Sequence, residues 1–125
     1  MKETIQEKTY RFAEVIIDAY LYLYDKGHFR LANQLVGAGT SIGANVEEAQ
    51  AAQSKADFIS KMSIAHKEAR ECKYWLKLLN KPKLLKEFDE FSYLLNEIQE
   101  INKVLYTIIK SSKSNLQNSK RKGSG

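Results

Sequence analysis

The chain has 125 residues, 43% of them apolar and 28% charged, with a formal net charge of +5. That length supports one hydrophobic core rather than two domains, and the apolar content excludes a wholly disordered chain. No apolar run approaches a bilayer span, and Met1-Lys2-Glu3-Thr4 leads into a polar helical pattern rather than a signal-peptide core; the expectation is a cytoplasmic protein with no membrane partner.

The first helix is expected from Thr4 to Asp25, with Ile5, Phe12, Ile16, Ala19 and Leu23 on one side and Lys26-Gly27 as its stop. The second is expected from Phe29 to Gln53, with Leu31, Leu35, Ala38, Ile42 and Ala49 at helical spacing. Ser54 then reads as an N-cap, with Asp57 three residues on in a capping-box-like arrangement. The third helix carries Phe58, Met62, Ala65, Ala69, Cys72, Leu76 and Leu79 at alternating steps of four and three, and ends near Asn80 because Pro82 cannot continue it. The fourth is expected from Lys83 to about Ile109, on Leu84, Phe88, Phe91, Leu95, Ile98, Leu105 and Ile109, with Asn102 at an apolar position of that seam. Its second stripe, Leu94, Ile101, Val104 and Ile108, reads either as a subunit contact or as a broad core-facing side.

No alternating run bounded by turn dipeptides signals a strand. Short connections between long helices make the fold class all-α, an antiparallel up-down four-helix bundle over residues 1–110. Residues 111–125, rich in Ser, Lys, Asn and Gly, are expected to form a disordered basic tail.

Several motifs are set aside. Gly39-Thr40-Ser41-Ile42-Gly43 spells the nucleophile-elbow pattern but lies in a helical stretch of a chain too short for that fold. The same glycines lack the spacing and the preceding strand of a dinucleotide fingerprint. His28, His66 and Cys72 lack metal-ligand spacing, and Cys72 reads as a small buried hydrophobe. No catalytic residue, metal, cofactor or small-molecule substrate is therefore expected. The glycines of helix 2 are expected to allow close helix approach along Gly37, Ala44 and Ala51, the alternative being a kink near Gly39.

Two polar features remain. Gln34, Ser41, Asn45 and Glu48 border the apolar stripe of helix 2 and are expected to form a hydrogen-bonded network at a helix–helix or subunit boundary, the alternative being a solvated edge. Residues 55–86 hold nine basic and three acidic groups, a net of +6, whereas residues 1–54 are net −2. Within that middle third, Lys67, Arg70, Lys73, Lys77 and Lys81 project over roughly a third of the helix circumference, with Tyr74 and His66 among them. Like charges at these spacings oppose the helix, and an anionic partner would relieve them. An ordinary solvated face, with lysine stems covering apolar neighbours, is the competing reading.

Leu31-Ala-Asn-Gln-Leu35, Thr40-Ser-Ile-Gly-Ala-Asn-Val-Glu-Glu-Ala49 and the Ser54–Leu79 helix resemble the family of proteins encoded by intervening sequences in bacterial 23S ribosomal RNA genes. The family's Ser–Ile/Val–x–Ala–Asn–x–x–Glu core is matched by Ser41, Ile42, Ala44, Asn45 and Glu48. Gly43 stands where members often carry proline, and Val36-Gly37 where they often carry arginines, which removes positive charge from helix 2. The resemblance implies a four-helix bundle assembled as a ring-shaped homopentamer, with no established enzymatic activity. Accessory proteins of diversity-generating retroelements look similar in fold and bind nucleic acid through a basic surface. The sequence thus points to a self-assembling bundle that binds RNA or DNA non-specifically through helix 3, or alternatively to a protein-interaction scaffold.

Overall fold

The structure, a computed structural model, describes residues 2–123, with Lys122 placed by its backbone alone. It contains four α-helices: α1 (Ile5–Asp25), α2 (Phe29–Gln50), α3 (Lys55–Leu78) and α4 (Phe91–Gly123). They form an antiparallel four-helix bundle in which each helix packs on its chain neighbour and α4 closes the ring against α1, the least extensive of the four contacts.

The ends follow local chemistry. Thr4 caps α1, its Oγ1 accepting from the Glu7 N–H at 3.1 Å. At the other end Gly27 takes φ 87°, which lets the Gly27 and His28 N–H groups donate back to the Tyr24 and Leu23 carbonyls at 2.9 and 3.0 Å. Ser54 caps α3 by accepting from the Asp57 N–H at 3.0 Å. The Asp57 carboxylate in turn accepts from the Gln53 N–H at 3.3 Å rather than from the cap residue itself.

The core is one cluster fed by all four helices. Phe12, Ile16 and Leu23 of α1, Leu35 and Ile42 of α2, Met62 and Leu76 of α3, and Leu94, Ile98 and Ile101 of α4 are almost fully buried. Each such side chain contributes roughly 1.5–3 kcal/mol through removal from water. Cys72 lies in this seam, free and wholly buried, and burial pushes its thiol far above the usual range, so it is chemically inert in the fold. The second stripe of α4 divides: Leu94 and Ile101 belong to the core, while Val104 and Ile108 are half-buried. Asn102 ties two helices, its Nδ2 donating to the Ala69 carbonyl of α3 at 3.2 Å and to the Ile98 carbonyl at 2.9 Å.

Helix boundaries differ from expectation at α4. Its start moves from Lys83 to Phe91, because residues 81–90 fold as successive turns. The N–H groups of Leu84, Phe88 and Phe91 each donate three residues back, at 2.9–3.0 Å, and the Leu85 N–H returns to the Leu79 carbonyl at 2.9 Å. This folds the segment onto the end of α3 and buries Leu85 completely. Its end moves from Ile109 to Gly123, so residues 111–123 are helical rather than an irregular tail. The reason lies in a pattern that composition obscured: Leu105, Ile109, Ser112 and Leu116 continue at steps of four, three and four, and no glycine or proline interrupts the run before Gly123. Ser124 and Gly125, the end of the expected tail, lie outside the described residues. Helix 2, expected to reach Gln53, ends at Gln50.

The glycines of α2 act on a different side from the one expected. Gly37 has open space where a side chain would stand, and Ala44 and Ala51 are exposed. The close approach is to α1, at Gly39 against Ile16 and at Gly43 against Thr9, and α2 runs unbroken through both.

Closure between α1 and α4 depends on charge. Lys8 Nζ lies 3.0 Å from Glu97 Oε1, Arg11 reaches Glu97 Oε2 at 3.5 Å, and both cations also engage Glu3. The Lys8 and Glu97 side chains are only 15% and 11% exposed. Truncating Glu97 removes the nearest partner of a largely buried ammonium and leaves it only Glu3 at 4.0 Å. Glu97→Ala is therefore expected to cost about 2 kcal/mol, read as a lower urea midpoint at unchanged m value.

Candidate nucleic-acid interface

The face of α3 turned away from the core carries Lys67, Arg70, Lys73, Tyr74 and Lys77, all exposed. Helical phase places them there: they fall between the seam positions Ala65, Ala69, Cys72 and Leu76, which point inward. Among the described residues none of the four cations makes an ion pair. The acids of the same helix border this arc rather than interleave in it: Glu71, exposed and four residues after Lys67, accepts from Trp75 Nε1 at 3.4 Å, and Glu68 is half-buried. Tyr74 is 58% exposed and its ring meets that of Trp75 edge-on, with centroids 5.5 Å apart. Lys81 is also exposed but does not share the helical face, because α3 stops at Leu78 and Lys81 sits in the following turn, its N–H bonded to the Leu79 carbonyl.

The polar line of α2 does not form a network within the chain. Ser41 Oγ donates to the Gly37 carbonyl at 2.6 Å and Asn45 Nδ2 to the Ser41 carbonyl at 2.8 Å, so both bond their own helix backbone. Gln34 and Glu48 are exposed. The physical reason is phase: these residues lie to the side of the stripe that α1 and α3 cover, with Ser41 and Asn45 half-buried at its border.

Three shallow hollows lie along the basic face, two of them shared between α3 and α4 and one lined by α3 alone. One, of about 410 Å³, is lined by Ser63, His66, Tyr106, Ile109, Lys110 and Lys113. A second, of about 430 Å³, lies against Arg70, Lys73, Tyr74 and Lys77, and a third, of about 250 Å³, joins Lys73 and Lys77 to Leu95, Ile98 and Gln99. Tyr106, Lys110 and Lys113, which line the first hollow, were not singled out in the sequence. The signal was present, since Gln99, Lys103, Tyr106, Lys110, Lys113, Gln117 and Lys120 follow steps of four and three along the chain.

His66 is half-buried in the first hollow, its ring 6.5 Å from that of Tyr106. Burial first, and the charge of Arg70 second, hold its imidazole below the ordinary value of 6.5. The folded chain therefore resists a proton that the unfolded chain accepts. Stability is expected to be insensitive to this group above about pH 6.5 and to fall as the pH drops below it. The check is the thermal midpoint between pH 7 and 5, whose acid-side decline should flatten in His66→Gln.

Among the described residues no cluster of His, Cys, Asp or Glu could hold a metal, and no helix is long and apolar enough to cross a membrane. Fold and surface together define a small all-α bundle with one cationic flank. The chain belongs to the 23S rRNA-intervening sequence protein family, which it matches over residues 1–107. It is similar to a crystal structure of a protein with unknown function from the S23 ribosomal protein family of Bacteroides thetaiotaomicron, with 41% sequence identity and a TM-score of 0.77, covering 86% of this chain and 99% of that one. No curated protein matches it.

Proposed function

We propose that this protein is a self-assembling bundle without catalytic activity that binds RNA or DNA non-specifically through phosphate contacts made by α3. The observation that carries the reading is the row of Lys67, Arg70, Lys73 and Lys77 on consecutive turns, exposed and without ion-pair partners among the described residues. Lys81 extends the charge past the end of the helix, and Tyr74 offers a ring to a base or sugar.

Assembly is supported by a second surface. Tyr10, Ile17, Leu21 and Tyr24 form an apolar stripe on the outside of α1, continued by Phe29, and each is at least 45% exposed. A stripe of this kind favours burial against another copy. The ring of five is the assembly that the family resemblance implies; Gln34, Ser41, Asn45 and Glu48 are available to a subunit boundary within it. A ring repeats the α3 face, so weak single contacts combine into useful avidity.

The test is a binding titration with RNA and DNA across 50–200 mM salt, alongside native mass. Five phosphate contacts to a single strand predict a loss of roughly 100-fold in affinity over that range. Absent or salt-insensitive binding would reject the reading. A scaffold with no nucleic-acid role would then stand, supported by the same apolar stripe covered by a different protein.

A further inference from the structure

We propose that the ligand is a single strand and that it lies along the three hollows of α3 and α4, with Tyr106, Lys110 and Lys113 of α4 completing the site. This rests on the reading of the α3 face as a polynucleotide surface and goes beyond it in naming the strand state, the path and the second helix.

Three observations converge. The first is charge: five cations, Arg70, Lys73, Lys77, Lys110 and Lys113, line the three hollows, and no Asp or Glu does. Two other hollows of the surface each include a carboxylate, Glu47 in one and Glu100 in the other. The second is the pair of aromatic side chains among those cations. Tyr74 is 58% and Tyr106 57% exposed, one on each helix. A tyrosine ring open to solvent between cations can stack on an unpaired base, whereas bases within a duplex present no free face. The third is dimension. From Ser63 to Lys77 the path follows α3 for about 21 Å at 1.5 Å per residue, the length of a few nucleotides of an extended single strand. Its floor is apolar, formed by Leu95, Ile98 and Ile109, which suits base faces and sugars more than a run of carboxylates.

The helical state of residues 111–123 matters here. Lys113 has a fixed place opposite Ser63 and His66 because α4 continues past Ile109; an irregular tail would leave it without one. The α4 cations thus line one end of the path and the α3 cations the other, and the strand's phosphates meet charge at both ends while its bases face the tyrosines.

The experiment compares a fluorescent 12-nucleotide poly-dT, poly-U, a duplex of equal length and poly-glutamate, binding to the full chain and to Tyr106→Ala, Lys110→Glu plus Lys113→Glu, and Arg70→Glu plus Lys77→Glu. The expected result is single strands bound at least 10-fold tighter than duplex or poly-glutamate. Tyr106→Ala should weaken the single-strand complex about 10-fold and leave duplex binding unchanged, and the Lys110/Lys113 reversal should weaken it as strongly as the Arg70/Lys77 reversal. The comparison of poly-dT with poly-U distinguishes DNA from RNA. If the α3 reversal abolishes binding while both α4 changes have no effect, or if duplex binds as tightly as single strands, the path is overturned and the α3 surface survives. Equal binding of poly-glutamate overturns the choice of a nucleic-acid ligand. No binding to any polynucleotide at low salt overturns both readings.

Discussion

Reversing Arg70 and Lys77 to glutamate is expected to weaken polynucleotide binding on the order of 100-fold at moderate salt, and to make the salt slope shallower by about 1.4. Each lost phosphate contact on a single strand removes about 0.7 from that slope, and each introduced carboxylate adds repulsion. The folded state should tolerate the change. Both residues are exposed and neither makes an ion pair among the described residues. Glutamates at these positions fall three or four residues from Lys67 and Lys73, replacing like-charge pairs by opposite ones within the helix and helping it by a few tenths of a kcal/mol each. Unchanged helical circular dichroism with lost binding would locate the defect at the surface. Unchanged affinity would remove α3 from the site.

The second large effect concerns two glycines two residues apart on α2, for which opposite outcomes are expected. A β-carbon at Gly39 would lie 2.7, 2.8 and 3.0 Å from the Cγ2, Cγ1 and Cδ1 atoms of Ile16. Ile16 is wholly buried and β-branched, so it has neither free space nor an easy alternative rotamer. Gly39→Ala is expected to cost about 2 kcal/mol through overpacking, even after the helix-propensity gain. At Gly37 nothing lies within 4 Å of the added carbon, and Gly37→Ala is expected to stabilise by about 1 kcal/mol. Urea denaturation of both variants, with the same two changes in an Ile16→Ala background, checks the cause. Removing Ile16 should erase the cost at Gly39 and leave the gain at Gly37 unaltered. An equal response of the two glycines in the native background would count against close α1–α2 approach.

These residues also show where sequence reasoning reaches its limit. Three-and-four spacing located the inward faces of all four helices, because a residue's angular position follows from its number alone. The cap at Ser54 and the stop at Gly27 were legible for the same local reason: a side chain bonds a backbone group three residues away, or a glycine adopts a positive φ. The glycines of α2 announced a close approach but not its direction, since Gly37 and Gly39 differ only in which neighbour stands opposite. Asn102 was visible as a polar residue on an apolar seam, yet its bond to the Ala69 carbonyl spans 33 residues of chain. Asn45, with similar chemistry, bonds its own helix instead.

The candidate site divides in the same way. Its α3 half was readable because the cations share one helix face. The α4 half required two helices to be set side by side, and required residues 111–123 to be recognised as helical despite a composition of Ser, Lys and Asn. Lys81, counted with α3 by phase, left that face because Pro82 ended the helix before it.

The sequence by itself determined four rods, their buried stripes and a positive middle third, because periodicity, capping and charge are properties of neighbours along one chain. Only the tertiary structure decided which glycine meets Ile16, that Lys8 and Arg11 close the bundle on Glu97, and that Tyr106, Lys110 and Lys113 of α4 share a hollow with Ser63 and His66 of α3. Those relations depend on how helices are placed beside one another. That placement is set by the summed packing of many side chains rather than by any local pattern.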